Sequence, residues 1–416
     1  MPIVRQPESF DRFRCIGAEC EDTCCKGWGI LIDADTWQKY QSPLDFRIAG
    51  NALSSLVEIN PARTSSVDYA RIRLEGNACP AFKEGLCSIQ QALGEPYISD
   101  LCSTYPRVLH ILGGTVERSL HMSCPEAARL ILTDPEAMTL IERSEESPAH
   151  RAGSLSVVAG APDEGPNDER LNQVRTLAIE VIKERSLPLW KRIVSLRFAV
   201  ERLAGADSTR AVTIMESHLN GLRQGLLEGI FASVPAAPAF QLETVLELIV
   251  ARIGADYTSP RFLDCYREFM RGLAWTNEST IEDLAARYHL ASESYFQRFV
   301  SRHEHLLENF LVSYAFRTLF PYGRRQPDQR FAIDSGGESM KRALILLATH
   351  FAILRTVMIG MAALHKDDFG IDHAVKLVQS YSKSFLHSSS FEAVAVEFLG
   401  KITGDPMHTL TVLLRE

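Results

Sequence analysis

Residues Ile345 to Leu364 read ILLATHFAILRTVMIGMAAL, a run apolar and long enough to cross a bilayer as a helix. His350 and Arg355 fall inside it, and each would carry a large cost in hydrocarbon. The run therefore predicts a helix buried within a helical domain, with no membrane span. Helical period extends to both sides of it: Glu169 to Arg185, Leu189 to Leu203, Ser208 to Phe231, Gln241 to Ile253, Ile281 to Tyr288, Ser294 to Phe320, Ser339 to His365, His373 to Phe385, and a pair from Phe391 to Arg415. Residues 169–416 are thus expected to form an all-α domain of roughly ten helices. No fixed-period repeat is evident along it.

Upstream, Ser144 to Asp168 (SEESPAHRAGSLSVVAGAPDEGPND) is rich in Ser, Ala, Gly and Pro and reads as a linker. Residues 1–143 differ in pattern from the helical part. Short strand-like pieces replace helical period: Trp28 to Asp33, Tyr69 to Leu74, and Val108 to Leu112 with Thr115 to Leu120 around Gly113-Gly114, a hairpin signal. The fold class expected is mainly α, a Cys-rich metal-binding α+β subdomain followed by an all-α multi-helix domain. Length, 416 residues, suits two or three domains. A formal charge of −8 argues against a general nucleic-acid binder, which would show a basic stripe.

Eight of nine cysteines lie in that first region: Cys15, Cys20, Cys24, Cys25, Cys79, Cys87, Cys102 and Cys124. The opening MPIVRQPESFDRFRC has no basic n-region followed by an apolar run. A cytoplasmic setting is therefore expected, in which thiols stay reduced and clustered cysteines bind metal more often than they pair as disulfides. Soft thiolates select zinc or iron–sulfur clusters. One such centre needs four, so eight imply either two centres or additional structural or redox cysteines. The C-x4-C-x3-C-C spacing matches no zinc-finger pattern and does not separate iron–sulfur from zinc. Cys265, within a helical run, reads as a small core hydrophobe. His303, His305, His365 and His373 read as satisfied core or surface histidines, since no cysteine lies near them in sequence.

The chain resembles the flagellin lysine N-methylases. The likeness rests on Phe13-Arg14-Cys15, Cys20-Glu21-Asp22-Thr23-Cys24-Cys25-Lys26-Gly27-Trp28, Cys79-Pro80, Leu86-Cys87-Ser88-Ile89, Cys102 with Tyr105-Pro106-Arg107, Ser119-Leu120, and Ser123-Cys124-Pro125-Glu126-Ala127-Ala128. Glu308-Asn309-Phe310-Leu311-Val312 and Leu319-Phe320-Pro321-Tyr322 extend it towards the C-terminal end. The first region is also similar to proteins with a CxxCxxCC zinc- or iron-chelating motif, although the leading spacings here are longer. The resemblance implies methyl transfer from S-adenosylmethionine to lysines of flagellin by an enzyme holding a [4Fe–4S] cluster, with zinc as the alternative metal.

Neither a strand–Gly-x-Gly–helix nucleotide unit nor a C-x3-C-x2-C spacing is present. The candidate donor-binding groups are Trp28 and Tyr105, whose π faces attract a cation, and Arg107, which could hold a carboxylate. Glu117 or Asp22 could steer a lysine. Each of these has a plainer reading as a core aromatic or a surface charge. The helical domain carries no catalytic motif, and docking of a protein substrate is its expected use. Two other function classes fit the residues: a non-catalytic zinc or iron–sulfur module that recruits a partner, and a thiol-redox or electron-transfer protein built on the vicinal Cys24-Cys25 pair.

Overall fold

The computed structural model describes residues 2–42, 47–48, 51–112, 114–146, 155–158, 169–255, 257–326 and 331–416. Its contacts divide the chain into two compact units, Met1–Leu130 with Leu140–Val157, and Ile131–Thr139 with Val158–Glu416. This differs from a cut near residue 143 because Ile131–Thr139 packs with the helical unit. There, the Asn309 side-chain amide donates to the Ile131 and Asp134 carbonyls, each at 2.8 Å. Of the expected linker, 147–154 and 159–168 lie outside the described residues, while Leu155–Val158 is a strand.

The first unit carries a five-stranded sheet in the order Leu140–Ser144, Ile3–Pro7, Thr115–Leu120, Arg107–Leu112, Leu155–Val158. The hairpin read around Gly113-Gly114 is present, with Thr115 opposite Leu112 and Leu120 opposite Arg107; Gly113 itself lies outside the described residues. Val4, Leu109 and Val116 form a small core against this sheet. A second core gathers Ile30, Ile32, Leu56, Ala70, Ile72 and Cys79 around a three-stranded sheet of Leu31–Ile32, Ala70–Ile72 and Val57–Ile59. Glu117 is buried on its strand with Arg5 at 3.6 Å. It is therefore neither a surface charge nor a group open to a lysine.

The second unit is all helix apart from one short hairpin, Gly323–Arg325 with Phe331–Ile333, among the described residues. Its axis is the helix Gly337–His365, in which Met340 and the whole run Leu344–Ala362 are buried. The apolar stretch is thus the core of its own unit, as its two polar residues implied. Both have hydrogen-bond partners there. Arg355 donates to the Leu414 and Leu413 carbonyls at 2.7 and 3.0 Å, and His350 Nδ1 pairs with the Tyr381 hydroxyl at 2.6 Å.

Helix Pro260–Gly272 crosses this axis at two glycines. A Cβ on Gly272 would collide with the Gly360 carbonyl, and one on Gly360 would sit 2.9 Å from the Phe269 carbonyl oxygen and closer still to the Phe269 ring. Cys265 is fully buried on the same helix, as a core hydrophobe should be.

Two helix boundaries depart from the sequence pattern. Ile281–Ala291 does not stop near Tyr288. It runs through a π-helical turn, Ser292–Phe296, into Gln297–His303, and a separate helix, His305–Arg317, follows. That last helix stops because Leu319 takes φ +62°, Pro321 has no N–H with which to continue it, and the backbone at Gly323 folds back so closely that a Cβ there would strike the Thr318 carbonyl. The Glu308-Asn309 pair owes its place to burial. Glu308 accepts from Arg192 at 2.7 Å and Arg185 at 2.8 Å while Arg192 also reaches Glu304 at 2.7 Å.

Gly360→Ala is expected to lower the stability of the helical unit by about 1–3 kcal/mol, read as a fall in melting temperature by far-UV circular dichroism. The helical unit should also weaken in acid. Burial depresses His218 to about 4 and His350 to about 3, so both are neutral when folded while the unfolded chain protonates them near 6.5. The unfolded state then binds more protons. The stability each contributes is complete above pH 6.5 and is lost as pH falls through those folded values. Between pH 7 and pH 4 the loss is about 3 kcal/mol per histidine, and the His218→Gln variant should show a correspondingly shallower decline in denaturant unfolding.

Candidate metal centre

Each cysteine is placed by a local device. The backbone of Cys25 accepts from the Cys79 N–H at 2.9 Å, Gly27 N–H donates to Asn77 at 2.9 Å, and Lys26 bridges Ala78, so the two cysteine groups meet as a short antiparallel pair. Phe82 N–H donates to the Cys79 carbonyl at 2.9 Å and Phe82 pairs with Cys87 across a tight hairpin whose turn uses Glu84 and Gly85 at positive φ. Asp33 brings Cys102 in. One carboxylate oxygen caps helix Ala34–Gln41 through the Thr36 N–H at 2.8 Å, and the other accepts from Asp100 N–H at 2.9 Å at the start of helix Asp100–Thr104. Ser99 caps that second helix through the Cys102 N–H.

These contacts bring the segments that carry Cys25, Cys79, Cys87 and Cys102 side by side. Desolvation and then Cys25 and Cys87 push the Cys79 thiol up to about 12, against the pull of the Ala81 and Phe82 N–H groups. Desolvation and then Cys25, Cys87 and Cys79 push Cys102 up to about 12, although that residue also presents surface to solvent. Tyr40 is raised chiefly by desolvation, and Cys102, Cys87 and Cys79 add to the rise.

Cys15, Cys20 and Cys124 lie on segments joined by other contacts. Arg129 ties them from outside, bridging Glu21 at 2.8 Å to Glu126, next to Cys20 and near Cys124 respectively. Cys124 precedes helix Pro125–Thr133; desolvation raises its thiol to about 12, the Ala127 and Glu126 N–H groups oppose the rise, and Cys20 and Cys15 add to it. The hydrogen bond of Cys24 with Cys25 raises its pKa most, then desolvation, then Cys25, Cys102 and Cys15.

The aromatic and cationic candidates flank these thiols. Trp28 and Tyr105 meet edge-on at 5.1 Å and 72°, and Trp28 Nε1 donates to the Cys24 carbonyl at 2.9 Å. Arg107 stacks over Phe13 at 5.0 Å; desolvation and then Arg14 lower its pKa, while Cys15, Glu95 and Cys124 oppose the fall. Tyr105 is held well above its ordinary pKa by desolvation first, then by Cys124, and its hydroxyl shares a hydrogen bond of 2.9 Å with Ser123. Ser123 in turn pairs with His121 Nδ1 at 2.8 Å. Sequence reasoning misses Ser123 and His121 as partners of Tyr105, because the strand pairing that brings the two ends of the hairpin together is not a local signal.

All nine cysteines are free thiols, so no disulfide framework is formed. Among the described residues, no group of three or more His, Cys, Asp or Glu side chains is placed to hold a metal ion. Tetrahedral zinc would need its sulfurs about 3.8 Å apart, whereas a four-iron cluster spreads its four ligands over separate irons. In donor chemistry, soft sulfurs with backbone N–H groups aimed at them suit such a cluster.

The histidines behave otherwise. His365 Nε2 pairs with Glu268 at 3.1 Å beside a Lys376–Glu268 ion pair of 3.0 Å, and the His365 and His373 rings lie 4.2 Å apart. Glu268 is a partner that only the packing of three helices supplies.

Residues 175–412 match the family described as the FliB lysine N-methylase C-terminal domain, and the chain belongs to that family. It is 37% identical over 145 residues to a lysine-N-methylase of Salmonella typhimurium, covering 34% of this chain and 35% of that protein. A lysine-N-methylase of Salmonella choleraesuis aligns at 36% over 145 residues, again 35% of its length. The flagellar biosynthetic protein FliU of Salmonella muenchen is 36% identical over 148 residues, 85% of its length. The chain therefore matches about a third of the two lysine-N-methylases. No solved structure matches.

Proposed function

We propose that this chain is a protein-lysine N-methyltransferase that moves the methyl group of S-adenosylmethionine to lysines of flagellin, with a cysteine-ligated [4Fe–4S] cluster in its first unit. The observation that carries this reading is the concentration of eight thiols in the unit that also holds Trp28, Tyr105 and Arg107, in a member of a lysine N-methylase family. When bound, a cluster would supply iron able to ligate donor atoms and would tie loops from four parts of the chain together.

The chain's own residues have distinct parts. The Trp28–Tyr105 pair offers π surface to the sulfonium or the lysine stem. Arg107 holds the donor carboxylate, and its own stack on Phe13 fixes its direction. The lysine must be neutral to attack, with its lone pair forming the new N–C bond as the S–CH3 bond breaks and S-adenosylhomocysteine leaves. Tyr105 stays protonated at neutral pH, so it acts as a hydrogen-bonding hydroxyl and not as a phenolate base. Its link through Ser123 to His121 gives the departing lysine proton a path. The helical unit is the part that engages the protein substrate.

The test is label transfer from S-adenosylmethionine to flagellin by protein purified without oxygen. Arg107→Gln should raise KM for the donor at least tenfold with little change for flagellin, and Trp28→Leu should lower kcat/KM for the donor by a similar factor. Absence of label from flagellin lysines with cluster-replete protein would overturn the reading and leave the metal-module alternative.

A further inference from the structure

The helical unit holds a cavity of about 210 Å³ that the methyl-transfer reading does not use. Helices Pro238–Ile253, Ile281–Ala291 and Gly337–His365 meet there with the segment that follows Leu414. The π turn Ser292–Phe296 contributes Phe296 to the wall, and single π turns inside α-helices recur at functional sites. Ile359 and Pro238 extend the apolar surface. Against it stand two guanidinium groups, Arg355 and Arg415, and the carboxylate of Glu416.

The cations are held in place by the fold itself. Arg355 is buried and spends its two terminal nitrogens on the Leu414 and Leu413 carbonyls. Gln241 pins the same segment by donating to the Val412 and Arg415 carbonyls at 2.9 and 2.6 Å. The Arg415 guanidinium lies over the Trp190 ring, 4.6 Å from its centroid. In both arginines the Nε is buried and has no hydrogen-bond partner among the described residues. Glu416 forms an ion pair with Arg355 at 3.6 Å and is the one acidic side chain among the described residues that line the cavity. Glu304, which also acts on Glu416, is engaged by Arg192 at 2.7 Å. One carboxylate thus faces two guanidinium charges, and a cation removed from water without a counter-charge is unfavourable. Helix Pro238–Ile253 adds charge of the same sign, since no side chain caps its N-terminus at the Ala237–Pro238 lip.

We infer that this cavity binds a small organic carboxylate, its acid head at the Arg355 and Arg415 guanidinium groups and a short apolar body against Phe296 and Ile359. The ligand supplies the missing negative charge in the planar form that a guanidinium recognises. The volume lies below the roughly 300–1,000 Å³ of sites for drug-sized ligands, which suits a short branched acid better than a long acyl chain. An acidic side chain of a protein partner has the head without the apolar body. Every residue of the site belongs to the second unit, so it shares none with the thiol region and does not rest on the methyl-transfer reading.

The experiment titrates full-length protein with sodium isocaproate, its neutral isostere isocaproamide, N-acetylglutamic acid α-amide and sodium sulfate. Calorimetry reads affinity, and the Trp190 indole NMR signal, identified by its loss in Trp190→Phe, reads location. Isocaproate should bind once per chain and shift the Trp190 signal, and the other three probes should bind at least about tenfold more weakly. Arg415→Gln should weaken isocaproate about tenfold with unchanged far-UV circular dichroism, whereas Arg415→Lys, which keeps the charge, should weaken it less. An amide that binds as well as the acid makes this a plain apolar cavity, and sulfate that binds as well makes it an inorganic-anion site. The glutamyl probe binding as well assigns it to a protein side chain. Any of the three overturns the inference. So do isocaproate binding that never saturates, a Trp190 signal that does not move, and a folded Arg415→Gln variant with unchanged affinity. If Arg415→Gln does not fold, the four probes and the Trp190 signal on wild type decide.

Discussion

All-round burial of one helix sets the architecture of the larger unit. Gly337–His365 has no polar face along Leu344–Ala362, so it is stable only where other helices cover every side of it. That requirement explains why its interior polar groups reach partners on neighbouring helices. Arg355 caps the carbonyls of Leu413 and Leu414, and His350 stays neutral against Tyr381. It also explains the two glycines at its closest crossing. Without Cβ atoms at Gly272 and Gly360 the backbones of two helices approach until one carbonyl fills the space a side chain would take.

The first unit solves a different problem. Its strands are short, several of only two or three residues, and its two cores are small, so little apolar burial is available to hold it. A single carboxylate, Asp33, orders two helix starts at once, and through the second of them fixes where Cys102 stands. The candidate donor-binding residues depend on that scaffold. Tyr105 follows helix Asp100–Thr104 directly and Arg107 opens the next strand, so both are carried into position with Cys102.

Much of this was legible in the chain. The buried helix followed from an apolar run interrupted by His350 and Arg355, and the hairpin Arg107–Leu120 from alternation around two glycines. Cys265 behaved as a core residue. The misread boundaries have one cause. Between Tyr288 and Ser294 local pattern breaks, but the i→i+5 bonds of a π turn carry the helix through, whereas the stop after Arg317 comes from a left-handed residue and a close backbone approach that period does not encode. Glu117 looked like a surface charge because alternation tells which residues share a face and not whether that face is covered.

By itself the sequence determined element type over most of the chain and the concentration of soft ligands in the first region, since these depend on composition and short-range period, while the likeness to lysine N-methylases rests on the particular motifs around the cysteines. Tertiary structure alone decided which thiols are neighbours. Cys24 and Cys25 are adjacent in the chain, yet the Cys25 carbonyl accepts from the Cys79 N–H while the Cys24 carbonyl accepts from the Trp28 indole. Neighbourhood in a folded chain is set by hydrogen bonds spanning tens of residues, such as Cys79 to Cys25 and Asp100 to Asp33, and no local spacing specifies those.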